Sequence, residues 1–200
     1  MATKKRTAET GSDGLPIVRV ENAGAFRRLL EREHTESKGF WLAIPKKGSG
    51  LDGPTYAEAV DEALCFGWID GQKARLDERE YLQRFTPRRA RSIWSKVNRK
   101  KIEALVAAGR MEPAGMAEVE RAKQDGRWDA AYDSPATATV PDDLRDALAA
   151  LPGARAFFDG LDSRNRYAIL HRVATAKRQA TREKRIAQFA QLCAEGKTLY

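Results

Sequence analysis

The sequence predicts an α+β protein: a small N-terminal antiparallel sheet with packed helices, followed by a C-terminal helical bundle. Three observations carry the prediction. Apolar runs of strand length, above all Gly39-Phe40-Trp41-Leu42-Ala43-Ile44, are confined to the first half of the chain. Helix-opening signals such as Thr55-Tyr56-Ala57-Glu58 fall between those runs. Beyond residue 140 every segment has helical periodicity, and the short connections imply antiparallel helix packing.

The elements follow in order. Residues 1–14 read as a disordered basic tail, and residues 17–20 as a short strand. Asn22 caps a helix whose apolar face is Ala25, Phe26, Leu29 and Leu30. The strand over residues 39–44 is stopped by Pro45 and followed by a flexible loop over residues 46–53. Thr55 and Glu58 form a capping box that opens a helix through Val60, Ala63 and Leu64, ending at Gly67. Residues 68–76 and 80–86 then pair as a hairpin across Asp77-Glu78-Arg79. An Asp70-Gly71 turn competes with it, but the later turn joins strands better matched in length.

Pro87 ends that hairpin. Ser92 or Ser95 caps the next helix, with Trp94, Val97, Ile102, Leu105 and Val106 inward and Gly109 closing it. Pro113 opens a further helix to Gly126. Residues 128–139 have linker composition, which divides the chain into an α+β domain over 15–127, a linker over 128–140 and a helical domain over 141–197. Helices are expected there over 141–151, 154–161, 163–176 and 181–195.

Two hundred residues, 42% of them hydrophobic, can bury a core without a metal or disulfide staple. The two cysteines, Cys65 and Cys193, lie in apolar-periodic stretches and read as reduced core thiols, which implies a reducing compartment. The basic start is followed by the polar run 7–14 where a signal peptide needs an apolar core, and no stretch approaches membrane-span length. A cytoplasmic location is therefore expected. No nucleotide-binding glycine loop, nucleophile elbow or clustered His/Cys set is present, so no catalytic residue, metal or cofactor is assigned.

The net charge is +8, and residues 84–101 contain eight basic residues and no acid. A cluster of one sign points to an anionic partner more strongly than diffuse charge does. Arg84, Thr86, Arg88, Arg89, Arg91, Ser95, Lys96 and Asn98 supply forked guanidiniums, ammonium groups and hydroxyls near a helix start, a donor set suited to phosphate. Lys177, Thr181, Arg182 and Arg185 repeat the pattern, with Thr181 read as a helix cap. The alternative for both is a solvated or ion-paired surface. A third candidate is a pocket of Trp68, Asp70, Gln72 and Trp94, in which Asp70 would accept hydrogen bonds. It lacks the second carboxylate of an acid/base pair.

Several of these stretches occur together in a known family. They are Ser37-Lys38-Gly39-Phe40-Trp41-Leu42, the segment from Thr55 through Cys65-Phe66-Gly67-Trp68-Ile69-Asp70-Gly71, Phe85-Thr86-Pro87-Arg88-Arg89, Trp94-Ser95-Lys96, Gly109-Arg110-Met111 with Pro113-Ala114-Gly115, and Ala176-Lys177 with Thr181-Arg182 and Arg185-Ile186. In them the chain resembles the bacterial YdeI/OmpD-associated family, also labelled bacteriocin-protection proteins. The resemblance implies a link to stress and bacteriocin tolerance without a defined reaction or ligand. Three readings follow: a non-enzymatic module for an anionic partner, either nucleic acid or a phosphorylated ligand; an enzyme built on the Trp68/Asp70/Trp94 pocket; or an adaptor for an acidic protein.

Overall fold

The computed structural model describes residues 9–200, and its first half is organised around the apolar run that the sequence marks most strongly. That run is strand β2 (Phe40–Pro45), whose first five residues are all buried. It lies between β1 (Ile17–Val18) and β4 (Glu80–Pro87), and β3 (Trp68–Arg75) completes the order β1-β2-β4-β3. β3 and β4 form the expected hairpin, closed at Asp77, whose carboxylate accepts from the backbone N–H groups of Arg79 and Glu80 at 2.7 Å each. The competing turn at Asp70-Gly71 is not formed; the β3–β4 register shifts there instead, between Asp70 and Lys73. β1 departs from the expected antiparallel arrangement. It pairs with β2 in parallel, because helix α1 (Ala23–Glu33) carries the chain back before β2 begins.

Both helices of this region start as their caps dictate. The Asn22 side chain accepts from Ala25 N at 2.9 Å, and α2 (Tyr56–Cys65) opens on the reciprocal Thr55–Glu58 capping box. Phe26 of α1 reaches the sheet, its ring 5.6 Å from Phe40 and 5.4 Å from Phe85, while Trp68 stacks on Phe40 at 4.9 Å. Removing Phe26 wholly from water stabilises the fold by roughly 2–3 kcal/mol. Trp41, Ala43 and Leu82 alternate to the other face, covered by Leu15 and Ile17.

Of the tail expected over residues 1–14, residues 1–8 lie outside the described residues. Residues 9–14 are not a free tail. Gly11 and Gly14 are hydrogen-bonded into a turn, and the Asp13 carboxylate accepts from Trp41 Nε1 at 2.8 Å and from Arg84 Nε at 2.7 Å. The Trp41 bond, with Arg84 beside it, holds Asp13 below the usual carboxylate range.

Helix α3 (Lys96–Ala107) begins directly after Ser95, the later of the two expected cap positions. Trp94 precedes it, and Ser92 accepts a bond from Arg89 N in the turn before it instead of capping it. Ile102 and Leu105 face inward, but Val97 and Val106 are 45% and 47% exposed, contrary to the expected apolar face. Val97 lies five residues before Ile102, about 140° round a helix of 3.6 residues per turn, and so does not share its inward face. Helix α4 (Pro113–Gln124) takes Pro113 in its first turn, as expected.

The chain divides into two compact units. One comprises the chain up to Ile93 together with Asn98–Asp129, and the other Trp94–Val97 with Ala130–Tyr200. Residues 128–139, read as a linker, are more structured than that composition suggests: Trp128 and Ala131 are buried, and Tyr132 exchanges backbone hydrogen bonds with Trp94 and Lys96. The second unit contains α5 (Asp142–Ala149), α6 (Ala154–Asp159), α7 (Ser163–Ala174) and α8 (Gln179–Ala194). Its core joins Leu144, Leu148, Phe158, Ile169, Val173 and Phe189. Among the described residues no helix is long and apolar enough to cross a membrane.

One junction in the first unit depends on a missing side chain. The Cys65 carbonyl at the end of α2 accepts from Glu112 N at 3.1 Å, and a Cβ on Gly115 would lie 2.2 Å from that carbonyl oxygen. We expect Gly115→Ala to force α4 away from α2 and lower stability by about 1–3 kcal/mol, read as an earlier urea midpoint. Gly160→Ala, whose added Cβ would meet its neighbours at 3.6 Å, is expected to stay within about 0.5 kcal/mol.

Candidate anion-binding site

The end of β2, the start of α2 and the adjoining ends of β3 and β4 surround an open groove of about 840 Å³. Strand pairing builds it. Tyr81 of β4 lies between Ile44 of β2 and Arg75 of β3 in register, and Lys73 and Arg75, two apart on β3, project on the same side. Lys46 and Lys47 follow Pro45, while Thr55 and Tyr56 enter from the start of α2. The floor is apolar, made by Ile44 and Pro45, and two tyrosines flank it. Four cationic side chains and no carboxylate line the groove.

The nearby acids are committed elsewhere. Glu58 serves the capping box, where the Thr55 backbone N–H, followed by its hydroxyl, holds the carboxyl below its usual range. Asp70 accepts the Tyr56 hydroxyl at 2.7 Å, fixing that ring at the groove's edge. Glu78 pairs with Arg75 at 2.7 Å, an exposed contact that holds the arginine weakly. Lys46 Nζ donates to the Asp77 carbonyl at 2.7 Å, and Lys73 Nζ sits 4.0 Å above the Tyr81 ring. Lys47 is exposed, with no ion pair to any described residue. Burial raises the Tyr81 phenol above its ordinary pKa, so the ring stays neutral at physiological pH.

The basic segment over residues 84–101 behaves differently. Arg84 is bound to Asp13, Lys96 to Asp133 at 2.8 Å and Lys101 to Asp61. Arg99 donates to the Trp128 carbonyl at 2.9 Å and lies over its ring. Arg88 is buried, its Nη1 donating to the Ile93 carbonyl at 3.2 Å. Thr86 is half-buried opposite Ile69 in the hairpin, Ser95 bridges to Tyr132, and Asn98 lies half-buried on α3. Only Arg89, Arg91 and Lys100 are exposed without an ion pair to a described residue. Five of the segment's eight cations are therefore committed within the fold, three in ion pairs and two on backbone carbonyls.

The second cluster has a structural explanation too. Helix α8 begins at Gln179 with Arg178 in the cap position, so Thr181 lies inside the first turn and is not the cap. Arg182 donates to both Asp143 oxygens, at 2.7 and 2.9 Å, and to the Val173 carbonyl at 3.1 Å; Arg185 donates to the Arg172 carbonyl. These two arginines cap the C-terminal end of α7, whose last carbonyls lack helical partners. Lys177 is exposed.

The third candidate does not assemble. Trp68 and Trp94 are each 1% exposed and belong to different units, so neither offers a surface to a ligand. Gln72 is exposed, and Asp70 serves Tyr56. The groove residues were legible only as fragments: a Lys-Lys-Gly loop after a strand and two cations on one strand face. What brings them together is the pairing of three strands.

Among the described residues no cluster of three or more His, Cys, Asp or Glu side chains is placed to hold a metal ion. Comparison with known families gives two matches on this two-unit α+β chain. A family model described as a domain of unknown function (DUF8412) matches residues 18–118, half of the chain, and the protein belongs to that family. A second, described as bacteriocin-protection, YdeI or OmpD-associated, matches residues 137–196 and bears out the resemblance read in the sequence. The closing motif from Ala176 to Ile186 lies within this second match, whereas the motifs between residues 37 and 115 lie within the first. No curated protein and no solved structure matches the chain significantly.

The α7 cap yields a test with a pH signature. Asp143 is held below the usual carboxylate range by its hydrogen bonds from Arg182, so the pair's contribution is full above the unfolded carboxylate pKa of about 4. It is lost as pH falls through the lower folded value. Arg182→Ala is expected to cost on the order of 1–2 kcal/mol at neutral pH, measured by denaturant titration, and progressively less in acid. The exposed Arg178, replaced by alanine, should show no such pH-dependent difference.

Proposed function

We propose that the protein is a non-enzymatic binding module for a phosphorylated small molecule carrying a planar ring, held in the groove between β2, α2 and the β3–β4 hairpin. The observation that carries this reading is the lining of Lys46, Lys47, Lys73 and Arg75 without a carboxylate. Cations gathered around a concave surface attract an anion more strongly than the same charges dispersed. Ammonium groups and a guanidinium suit phosphate oxygens, and Tyr56 and Tyr81 offer ring faces above an apolar floor. A volume of about 840 Å³ suits a ligand of nucleotide size. The free, buried Cys65 and Cys193 support a reducing, cytoplasmic setting.

A protective role against bacteriocins, which the second family's description names, would then run through recognition of a small anion. Direct capture of cationic peptides is disfavoured by the net charge of +8. A nucleic-acid reading has one observation in its favour. The carbonyls of Ser92 and Ile93 are held by the buried Arg127 and Arg88, which fixes a loop that presents Arg89 and Arg91 to solvent.

Calorimetric titration with ADP as a probe separates the two readings. The groove reading expects saturable binding that weakens with salt and falls at least about tenfold in a Lys47→Glu/Lys73→Glu variant. Arg89→Glu/Arg91→Glu should leave it unchanged. Absence of ADP binding at about 1 mM, or equal sensitivity to the loop variant, would count against the groove. Oligonucleotide binding with a steep salt slope, abolished by the loop variant alone, would favour nucleic acid.

A further inference from the structure

A second cavity lies on α7, far along the sequence from the groove residues. Positions 164, 167, 168, 171 and 172 recur at three- and four-residue spacing and share one side of the helix. Arg164, Tyr167, His171 and Arg172 face a cavity of about 330 Å³ there, with Tyr200 as a further wall. The segment bearing Tyr200 is anchored from beneath. The buried Asn165 accepts, through Oδ1, the backbone N–H groups of both Leu199 and Tyr200 at 3.0 Å. Its own Nδ2 donates to the Asp162 carboxylate, which commits that acid.

The remaining contacts describe what the wall accepts. The Arg164 guanidinium lies 4.4 Å from the Tyr200 ring centre and that of Arg172 5.7 Å away, and Arg172 donates to the Tyr200 phenol oxygen at 3.2 Å. An aromatic ring thus already lies against two guanidiniums. Tyr132 meets His171 edge-on at 4.7 Å, and Tyr167 lies 5.6 Å from it. Neither Arg164 nor Arg172 pairs with a carboxylate of any described residue, whereas Asp143 and Asp159 in the same unit are both taken by other arginines. Burial, then the charges of Arg172 and Arg185, lower the His171 pKa, so its imidazole is neutral at physiological pH and offers one donor and one acceptor.

We propose that this face is a binding site for a small aromatic anion, its ring against Tyr200 and Tyr167 and its acidic group between Arg164 and Arg172. Forked guanidiniums pair bidentately with phosphate or carboxylate, and aromatic walls stack on a flat ring. The cavity is at the small end of ligand sites, so the occupant is of single-ring size and differs from the larger ligand of the groove. This inference stands independently of the groove.

The test uses phenyl phosphate as the probe and the histidines as reporters, because the chain has only two. His171 lines the cavity, while His34, in the other unit with Nδ1 2.9 Å from the Leu30 carbonyl, serves as the reference. Titrating the full chain should move the His171 imidazole resonances saturably in NMR spectra, with inorganic phosphate acting at least about tenfold more weakly. Arg164→Gln, an exposed position whose replacement spares the core, should weaken phenyl phosphate about tenfold, and Tyr200→Ala should do likewise. Lys47→Glu/Lys73→Glu should leave the His171 titration unaltered, so failure of the groove reading does not imitate failure here. No His171 shift at about 10 mM probe, or a titration unchanged in the Arg164→Gln and Tyr200→Ala variants, overturns the site. Equal shifts with inorganic phosphate overturn its aromatic component.

Discussion

Glu62 is the constraint on which the first unit depends. It sits on α2 at 5% exposure, and a carboxylate that deep is tolerable only when its charge is met. Arg27 of α1 donates to one oxygen at 3.1 Å and Arg110, from the turn before α4, to the other. Arg27 also bonds the Glu112 carboxylate and the Arg110 carbonyl, and lies over the Phe66 ring. One network thereby joins α1, α2 and the approach to α4. Removing either arginine would leave one buried Glu62 oxygen without its donor, and removing both would leave an uncompensated buried charge, which costs more than the pairs themselves contribute. The Cys65–Glu112 hydrogen bond and the close approach at Gly115 lie beside it, and α2 positions Tyr56 at the groove.

Charge is distributed in this protein by a rule that its net value conceals. The segment over residues 84–101 equals the whole excess of +8, yet Arg84, Lys96 and Lys101 meet Asp13, Asp133 and Asp61, acids remote in sequence. The groove draws its four cations from two short stretches, 46–47 and 73–75, that look unremarkable in a running charge count. An electrostatic field depends on which neighbours cancel it, and sequence proximity decides only some of those neighbours.

The helical unit shows the same economy in a different form. Basic side chains in the first turns of α8 oppose its own dipole, but Arg182 and Arg185 reach the carbonyls of Val173 and Arg172 at the end of α7. The Thr181-Arg182 and Arg185-Ile186 motif is thus accounted for by helix capping, with Ile186 in the core. The same helix carries the Arg164–His171–Arg172 face, where the Arg185 charge also reaches His171.

Local chemistry was legible from the sequence alone. The Asn22 cap, the Thr55–Glu58 box, the Asp77 turn and the positive-φ glycines Gly67, Gly109, Gly126 and Gly196 each act within a few residues, so composition determines them. The continuous apolar run of β2 likewise announced a strand, and the structure buries both its faces. Tertiary structure decided the rest. It set β1 parallel to β2, began α3 after Trp94 and turned Val97 and Val106 outward. It also chose the acid partner of each arginine and folded Lys46, Lys47, Lys73 and Arg75 around one groove. Those outcomes depend on strand register and on contacts between residues tens of positions apart, which no local pattern encodes.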